Sequence, residues 1–125
     1  MEVEFGMPID IFIEGVPYPR WKVGGDVEAA NRWSQDVTNK TRRLPRIKHR
    51  CSVNVTFILP TDKYPKDHPH GPDLDNLLKR LFDALNKTIY SKATGKDGCI
   101  TRLTASKRER QGKQRTGVRL KISEI

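Results

Sequence analysis

The chain reads as an α/β (α+β) protein, a small mixed β-sheet packed with two helices in the order β-α-β-α-β-β. Three observations predict this. Apolar residues alternate at period two in three short stretches, they recur at helical spacing in two intervening segments, and strand and helix patterns alternate along the chain. A length of 125 residues suits one domain, spanning 1–125, with a core of its own.

Ile9, Ile11 and Ile13 alternate with Asp10, Phe12 and Glu14 in a first strand that stops at Gly15. Pro17 and Pro19 each remove a backbone donor, so the chain continues as a loop through Gly24–Gly25 that carries Tyr18, Arg20, Trp21 and Lys22. From Asp26 to about Arg43 the residues Val27, Ala29, Ala30, Trp33 and Val37 recur near helical spacing, with Asp26 placed as N-cap. Pro45 closes that helix. Cys51 to Leu59 alternates before Pro60 and forms a second strand with one apolar face.

Thr61 to Pro72, with three prolines, two histidines and no periodicity, is a long loop. It leads into the clearest element of the chain, a helix whose Leu74, Leu77, Leu78, Leu81, Phe82 and Leu85 make one continuous stripe. A second loop from about Thr88 to Gly98 precedes a strand over Cys99–Ser106. Val118, Leu120 and Ile122 then alternate with Arg119, Lys121 and Ser123 in a last strand over Thr116–Ser123. The two final strands are expected to form a closing hairpin, with the charged, Gly112-containing Lys107–Arg115 connection as its mobile basic tip.

A formal net charge of +9 and an isoelectric point near 9.8 call for a polyanionic partner, with nucleic acid first. No helix pairs a Lys/Arg face with a Trp/Phe/Leu face, and no apolar run approaches the length of a membrane span, so a bilayer partner is not expected. The opening Met1-Glu2-Val3-Glu4 lacks the basic start and apolar core of a secretory signal, which makes the cytoplasm the expected compartment. Cys51 and Cys99 are far apart in sequence and outside any CxxC spacing, so they are expected as buried or idle thiols.

The chemistry concentrates in Asp73-Leu74-Asp75-Asn76-Leu77-Leu78-Lys79. Helix positions four apart drift by only about 40°, so Asp75, Lys79 and Asp83 share one side bordering the apolar stripe, and Asp73 just ahead of the first turn can approach Asp75. Two carboxylates so placed suit a hard divalent cation such as magnesium. The same two residues also suit plain helix capping, worth about 1 kcal/mol each. Lys79 is equally an ordinary salt-bridge partner for Asp75. Asp97 is the best third acid, because it ends a loop before a strand where chain reversal can return it to the start of the preceding helix. His68 and His70 offer a zinc alternative with Asp73, against the commoner fate of such a pair in solvent. No Gly-x-Ser-x-Gly elbow and no Walker loop occurs.

The run DLDNLLKRLFDAL from Asp73 to Leu85, followed by Asp97 before a strand and by a basic C-terminal segment, closely resembles the RusA family of Holliday-junction resolvases. The resemblance covers the C-terminal half well and the remainder in outline. Lys96-Asp97 stands where that family often shows an acidic doublet. The resemblance implies a homodimeric, magnesium-dependent endodeoxyribonuclease that resolves four-way DNA junctions by paired phosphodiester hydrolysis in recombination and repair. It assigns Asp73, Asp75 and Asp97 as the catalytic acids, holding one or two magnesium ions, and Lys79 as the essential lysine.

Branched DNA would be gripped by basic side chains around that site. Arg20 and Lys22 lie in the proline loop, Arg43, Arg46 and Lys48 in a run without an acid, and Lys107, Arg108, Arg110, Lys113 and Arg115 near the predicted tip. Tyr18 and Trp21 are candidates for stacking on unpaired bases, with core packing as the alternative for Trp21. Two other functions fit the same charge pattern. One is a non-catalytic nucleic-acid-binding protein in which the Asp pair only caps a helix, and the other a metal-dependent nuclease acting on flaps or single strands.

Overall fold

The computed structural model describes residues 8–20, 25–64, 66–67 and 69–125. In chain order the elements are β1 (Ile9–Glu14), α1 (Val27–Thr41), β2 (Cys51–Leu59), α2 (Leu74–Leu85), β3 (Ile100–Glu109) and β4 (Gly117–Glu124). The expected class and element order hold. A four-stranded mixed sheet in the order β1-β4-β2-β3 carries both helices on one face.

β3 and β4 do not form the expected hairpin. β2 lies between them, parallel to β3 with Val55 opposite Ala105, and antiparallel to β4 with Val55 opposite Leu120. Burial explains the choice. Val118, Leu120 and Ile122 of β4 are fully buried and need strands on both sides, whereas β3 is exposed along most of its length and takes the edge. A parallel β2–β3 pair requires a crossover between the two strands, and α2 is that crossover. The charged connection is also shorter than expected, because Lys107, Arg108 and Glu109 belong to β3. It bridges the end of β2, where the Arg110 N–H donates to the Leu59 carbonyl at 2.8 Å.

The core is the apolar face of the sheet against the two helices. Leu77, Leu81 and Leu85 of α2 are fully buried, each worth about 2 kcal/mol of apolar transfer, and α1 contributes Ala30, Trp33, Val37 and Thr41. Asp26 caps α1 as expected, its carboxylate accepting from the Ala29 N–H at 3.1 Å. Val27 does not join the stripe: it is the first helical residue and 70% exposed. The 88–98 loop is more than a connector, since Ile89 and Tyr90 are fully buried. At Gly117, φ is +152° and a Cβ would lie 2.0 Å from the Ile13 carbonyl oxygen, so only glycine permits β1 and β4 to meet in this register.

Candidate functional site at the start of α2

The chain enters α2 through a turn that glycine makes possible. Gly71 has φ +70°, and a Cβ there would sit 3.1 Å from the Tyr64 ring. Asp73 then occupies the N-cap position in extended conformation, its carbonyl accepting from the Leu77 N–H at 3.1 Å. Its side chain makes no capping hydrogen bond. Asp75 follows in the first turn. Both acids are exposed, and among the described residues neither carboxylate has a hydrogen bond or ion pair. Capping is therefore not what the Asp73 carboxylate does. Lys79, exposed one turn further on, forms no ion pair with Asp75 among the described residues.

Other elements fix the backbone around these acids. The Lys107 ammonium on β3 donates to the carbonyl oxygen of His70 at 2.6 Å and to that of Pro72. The Arg20 N–H donates to the Asn76 carbonyl at 3.0 Å, and Arg80 Nε to the Pro19 carbonyl at 3.2 Å. The Arg80 guanidinium lies 5.7 Å from the Tyr18 ring, whose hydroxyl accepts from the Asp26 N–H. Tyr18 is thus a buried strut, 7% exposed, and is not available to stack on a base. Trp21, Lys22 and His68 lie outside the described residues. Gly71 and Arg80, which serve the site's geometry, escaped the sequence reading. Gly71 next to Pro72 was a legible turn signal, whereas nothing in the sequence marks Arg80 off from other helix-face cations.

Asp97 lies elsewhere. It is half-buried in a short 3-10 turn, and its N–H donates to Asn86 Oδ1 at 3.0 Å, at the C-terminal end of α2. The helix rises about 1.5 Å per residue, so Asn86 stands about 20 Å from Asp73 along its axis. Chain reversal therefore brings Asp97 to the wrong end of the helix for a site within one chain. Consistently, no group of three or more His, Cys, Asp or Glu among the described residues could hold a metal ion. The reason is the parallel crossover: β3 starts beside the start of β2, with Ile100 opposite Cys51, while α2 starts near the end of β2.

Asp97 borders a cluster of two thiols and the buried Tyr90 phenol. Cys51 and Cys99 are free, with sulfurs 4.0 Å apart, and Cys51 Sγ is 4.0 Å from the Tyr90 hydroxyl. Burial first, and the adjacent Cys99 second, push the Cys51 thiol up to about 12, and burial also raises Cys99 and Tyr90. Thiols raised in this way carry little thiolate near neutral pH, in keeping with the buried or idle role expected from the sequence.

A sequence profile described as Endodeoxyribonuclease RusA matches residues 21–122. The chain belongs to the RusA endodeoxyribonuclease family. No match was found among curated proteins. The RusA match takes in both helices, β2, β3, β4 as far as Ile122 and all four acidic and lysine candidates, Asp73, Asp75, Lys79 and Asp97. A nuclease is thereby indicated, and among the described residues no helix is long and apolar enough to cross a membrane.

The cations expected to meet DNA in this RusA member divide between the two ends of α2. Arg20, Arg108, Arg110, Lys113 and Arg115 are exposed at the end where α2 begins. There Arg108 is held by Gln114 at 2.7 Å, and Arg115 pairs with Glu14 at 3.4 Å over the Phe12 ring. Lys107, half-buried on the His70 and Pro72 carbonyls, is a fastener at the same end. Arg43 and Lys48 are exposed near the other end, where the Ile47 N–H donates to the Ile89 carbonyl at 2.9 Å. Arg46 is committed to structure: its guanidinium donates to the carbonyls of Thr41, Leu44 and Arg42 and closes the end of α1.

Proposed function

We propose that this RusA-family chain is a magnesium-dependent resolvase that cuts four-way DNA junctions in pairs, acting as a homodimer. The observation that carries the reading is the pair of exposed carboxylates at the start of α2, without a hydrogen bond or ion pair among the described residues, on a protein with net charge +9. Carboxylates that pair with no cation among the described residues, one of them in the N-cap position without a capping bond, suit a hard cation, and magnesium accepts one or two such ligands while keeping waters. The donor chemistry fits.

Asp73 and Asp75 would hold the ion, which when bound supplies a water of lowered pKa and neutralises charge on the scissile phosphate. Lys79, one turn along on the exposed side, offers a compact ammonium to phosphate oxygens. Arg20, tied by its backbone to Asn76 of α2, stands beside the acids, and Arg110 and Lys113 are exposed at the same end of the sheet, whereas Arg108 and Arg115 line the opposite sheet face with Phe12 and Ile58. Asp97 is about 20 Å from Asp73 within one chain, so a site using all three acids takes Asp97 from a second copy. A two-fold dimer supplies two such sites, as paired cuts require.

The test is cleavage of a labelled four-way junction with magnesium and with EDTA, beside Asp75→Asn and a panel of flap, duplex and single strand. Paired nicks in the junction that need both magnesium and Asp75 support the reading. Binding without cutting would make the chain a non-catalytic binding module, and preferential cutting of flaps or single strands would reassign its substrate.

A further inference from the structure

We infer that the sheet face opposite the helices holds a second nucleic-acid site, a pocket beside Phe12 that seats an unpaired nucleotide of a DNA single strand. Such binding needs neither a metal nor a cut, and is therefore separable from the resolvase reading above. A sheet with one solvated face ordinarily alternates apolar and polar residues. Phe12 and Ile58 break that alternation. Both lie on the solvated face, opposite Arg119 and Arg108 respectively, and Ile58 is buried although it stands outside the core cluster. With Thr56 they floor a pocket of about 450 Å³. Its walls are Arg108, Arg115 and Arg119.

Three guanidiniums around an apolar floor fit a ligand that joins a flat apolar part to an anion, as a nucleotide does. The Arg115 guanidinium lies 5.4 Å from the Phe12 ring, so an entering base meets an aromatic face or a guanidinium plane, and bases stack on both. Arginine forks suit phosphate oxygens. Charge agrees, since this face carries Arg102, Arg108, Arg115, Arg119 and Lys121 against Asp10 and Glu14. The two acids pair with Arg119 at 3.2 Å and Arg115 at 3.4 Å, and exposed pairs of this kind are weak enough to yield to a phosphate. A paired duplex keeps its bases stacked inside and offers none to the floor.

The pocket lies behind the acids, across the sheet. Neighbouring strand residues point to opposite faces, so Lys107 reaches the His70 and Pro72 carbonyls ahead of Asp73 while Arg108 turns to the pocket. Arg110 and Lys113 are exposed on the connection between the two faces. A single strand leaving the acids can thus pass the end of the sheet along these cations and seat a base at Phe12. DNA is the strand expected, because the family is one of endodeoxyribonucleases.

The test is fluorescence anisotropy of a short labelled oligothymidylate, beside a duplex of the same length, in EDTA so that nothing is cut. Wild type should bind the single strand. Phe12→Leu, which removes the ring and keeps apolar bulk, should weaken that binding by about 10-fold and change duplex binding by less than about 2-fold. Arg108→Gln, at an exposed side chain, should also weaken the single strand more than the duplex, and lower the salt slope of single-strand binding by about one. A loss selective for the single strand in Phe12→Leu, with an unchanged circular dichroism melt, supports the pocket. If that melt falls, Arg108→Gln decides by the same criterion. A wild type that does not bind the oligothymidylate, unchanged affinity in the variants, or equal losses for single strand and duplex overturns the site. A chain that binds the strand at Phe12 and never cuts a junction in magnesium defeats the resolvase reading alone.

Discussion

The two ends of α2 are built on opposite principles. At its C-terminal end polar groups are engaged: Asn86 holds the Asp97 N–H, the buried hydroxyls of Thr41 and Thr88 meet at 2.7 Å, and Ile47 and Ile89 join through their backbones. At its N-terminal end the backbone is fastened just as firmly, by Lys107, Arg20 and Arg80, yet the Asp73 and Asp75 carboxylates are left open to solvent. Rigid support beneath unsatisfied ligands is the arrangement expected where a ligand will complete them. The C-terminal end is arranged for stability.

That contrast is sharpest in Asp75→Asn. The substitution keeps size and exposure while removing a charge, so unfolding should change by less than about 0.5 kcal/mol. On the proposed reading Asp75 is a metal ligand, whose loss removes several kcal/mol of charge stabilisation at the phosphate, so cleavage should fall by on the order of 10³-fold. Junction binding in a gel shift should hold or strengthen with one negative charge gone. A protein that melts early, or that cuts normally, would erase the distinction between the two ends.

Ile89→Ala probes the other end. Ile89 is fully buried, so truncation should cost about 2–4 kcal/mol in urea unfolding. Cleavage per folded molecule at low temperature should change little. A large loss of activity without loss of stability would show that the packed end also performs chemistry.

Much of this division was legible in the sequence. Period-two runs placed β1 and β2 to the residue or nearly so, and the Leu stripe placed α2, because one-sided burial leaves its period in the chain. The start of α2 was legible for the same reason, since acids that interrupt an amphipathic pattern stand out. Strand partners were not. β4 enters the sheet centre because of what Val118, Leu120 and Ile122 meet across it, and no local pattern in β3 or β4 says that β2 lies between them. Asp97 was misplaced for a separate reason: the loop that leaves α2 is short, and the strand after it begins beside the end of that helix and not beside its start. Tyr18 and Arg46 looked like surface contacts because one lies in a proline loop with basic residues and the other in a run of cations without an acid, while their actual partners, Arg80 and the carbonyls ending α1, are set by tertiary packing or local turn geometry.

Lys107→Met asks whether the open end needs its fastening. Methionine keeps the apolar stem and loses an ammonium that donates to two carbonyls, so stability should drop by about 2 kcal/mol. The acids should lose their fixed position as well. A fall in cleavage of about 10-fold at saturating DNA is expected from a small misplacement of the reacting groups. Equal loss in DNA affinity with the cleavage step intact would instead make Lys107 a phosphate contact.

The smallest effect concerns the packed end at alkaline pH. Burial, together with the neighbouring Cys99, holds the Cys51 proton to about 12, whereas the unfolded chain releases it near the ordinary value of 9.0. Between those limits the unfolded state binds fewer protons than the folded one, so stability falls as pH rises, by on the order of 1 kcal/mol per such thiol at one unit above the ordinary value. Tyr90 and Cys99 shift in the same direction and add to the slope. Urea midpoints at pH 8 and pH 10 should therefore separate for the wild type, and Cys51→Ala, though less stable at pH 8, should show a smaller drop between the two. Parallel drops in both proteins would mean that Cys51 ionises as easily in the folded chain as in the unfolded one, and the cluster beside Asp97 would then be as open to water as the acids at the other end of α2.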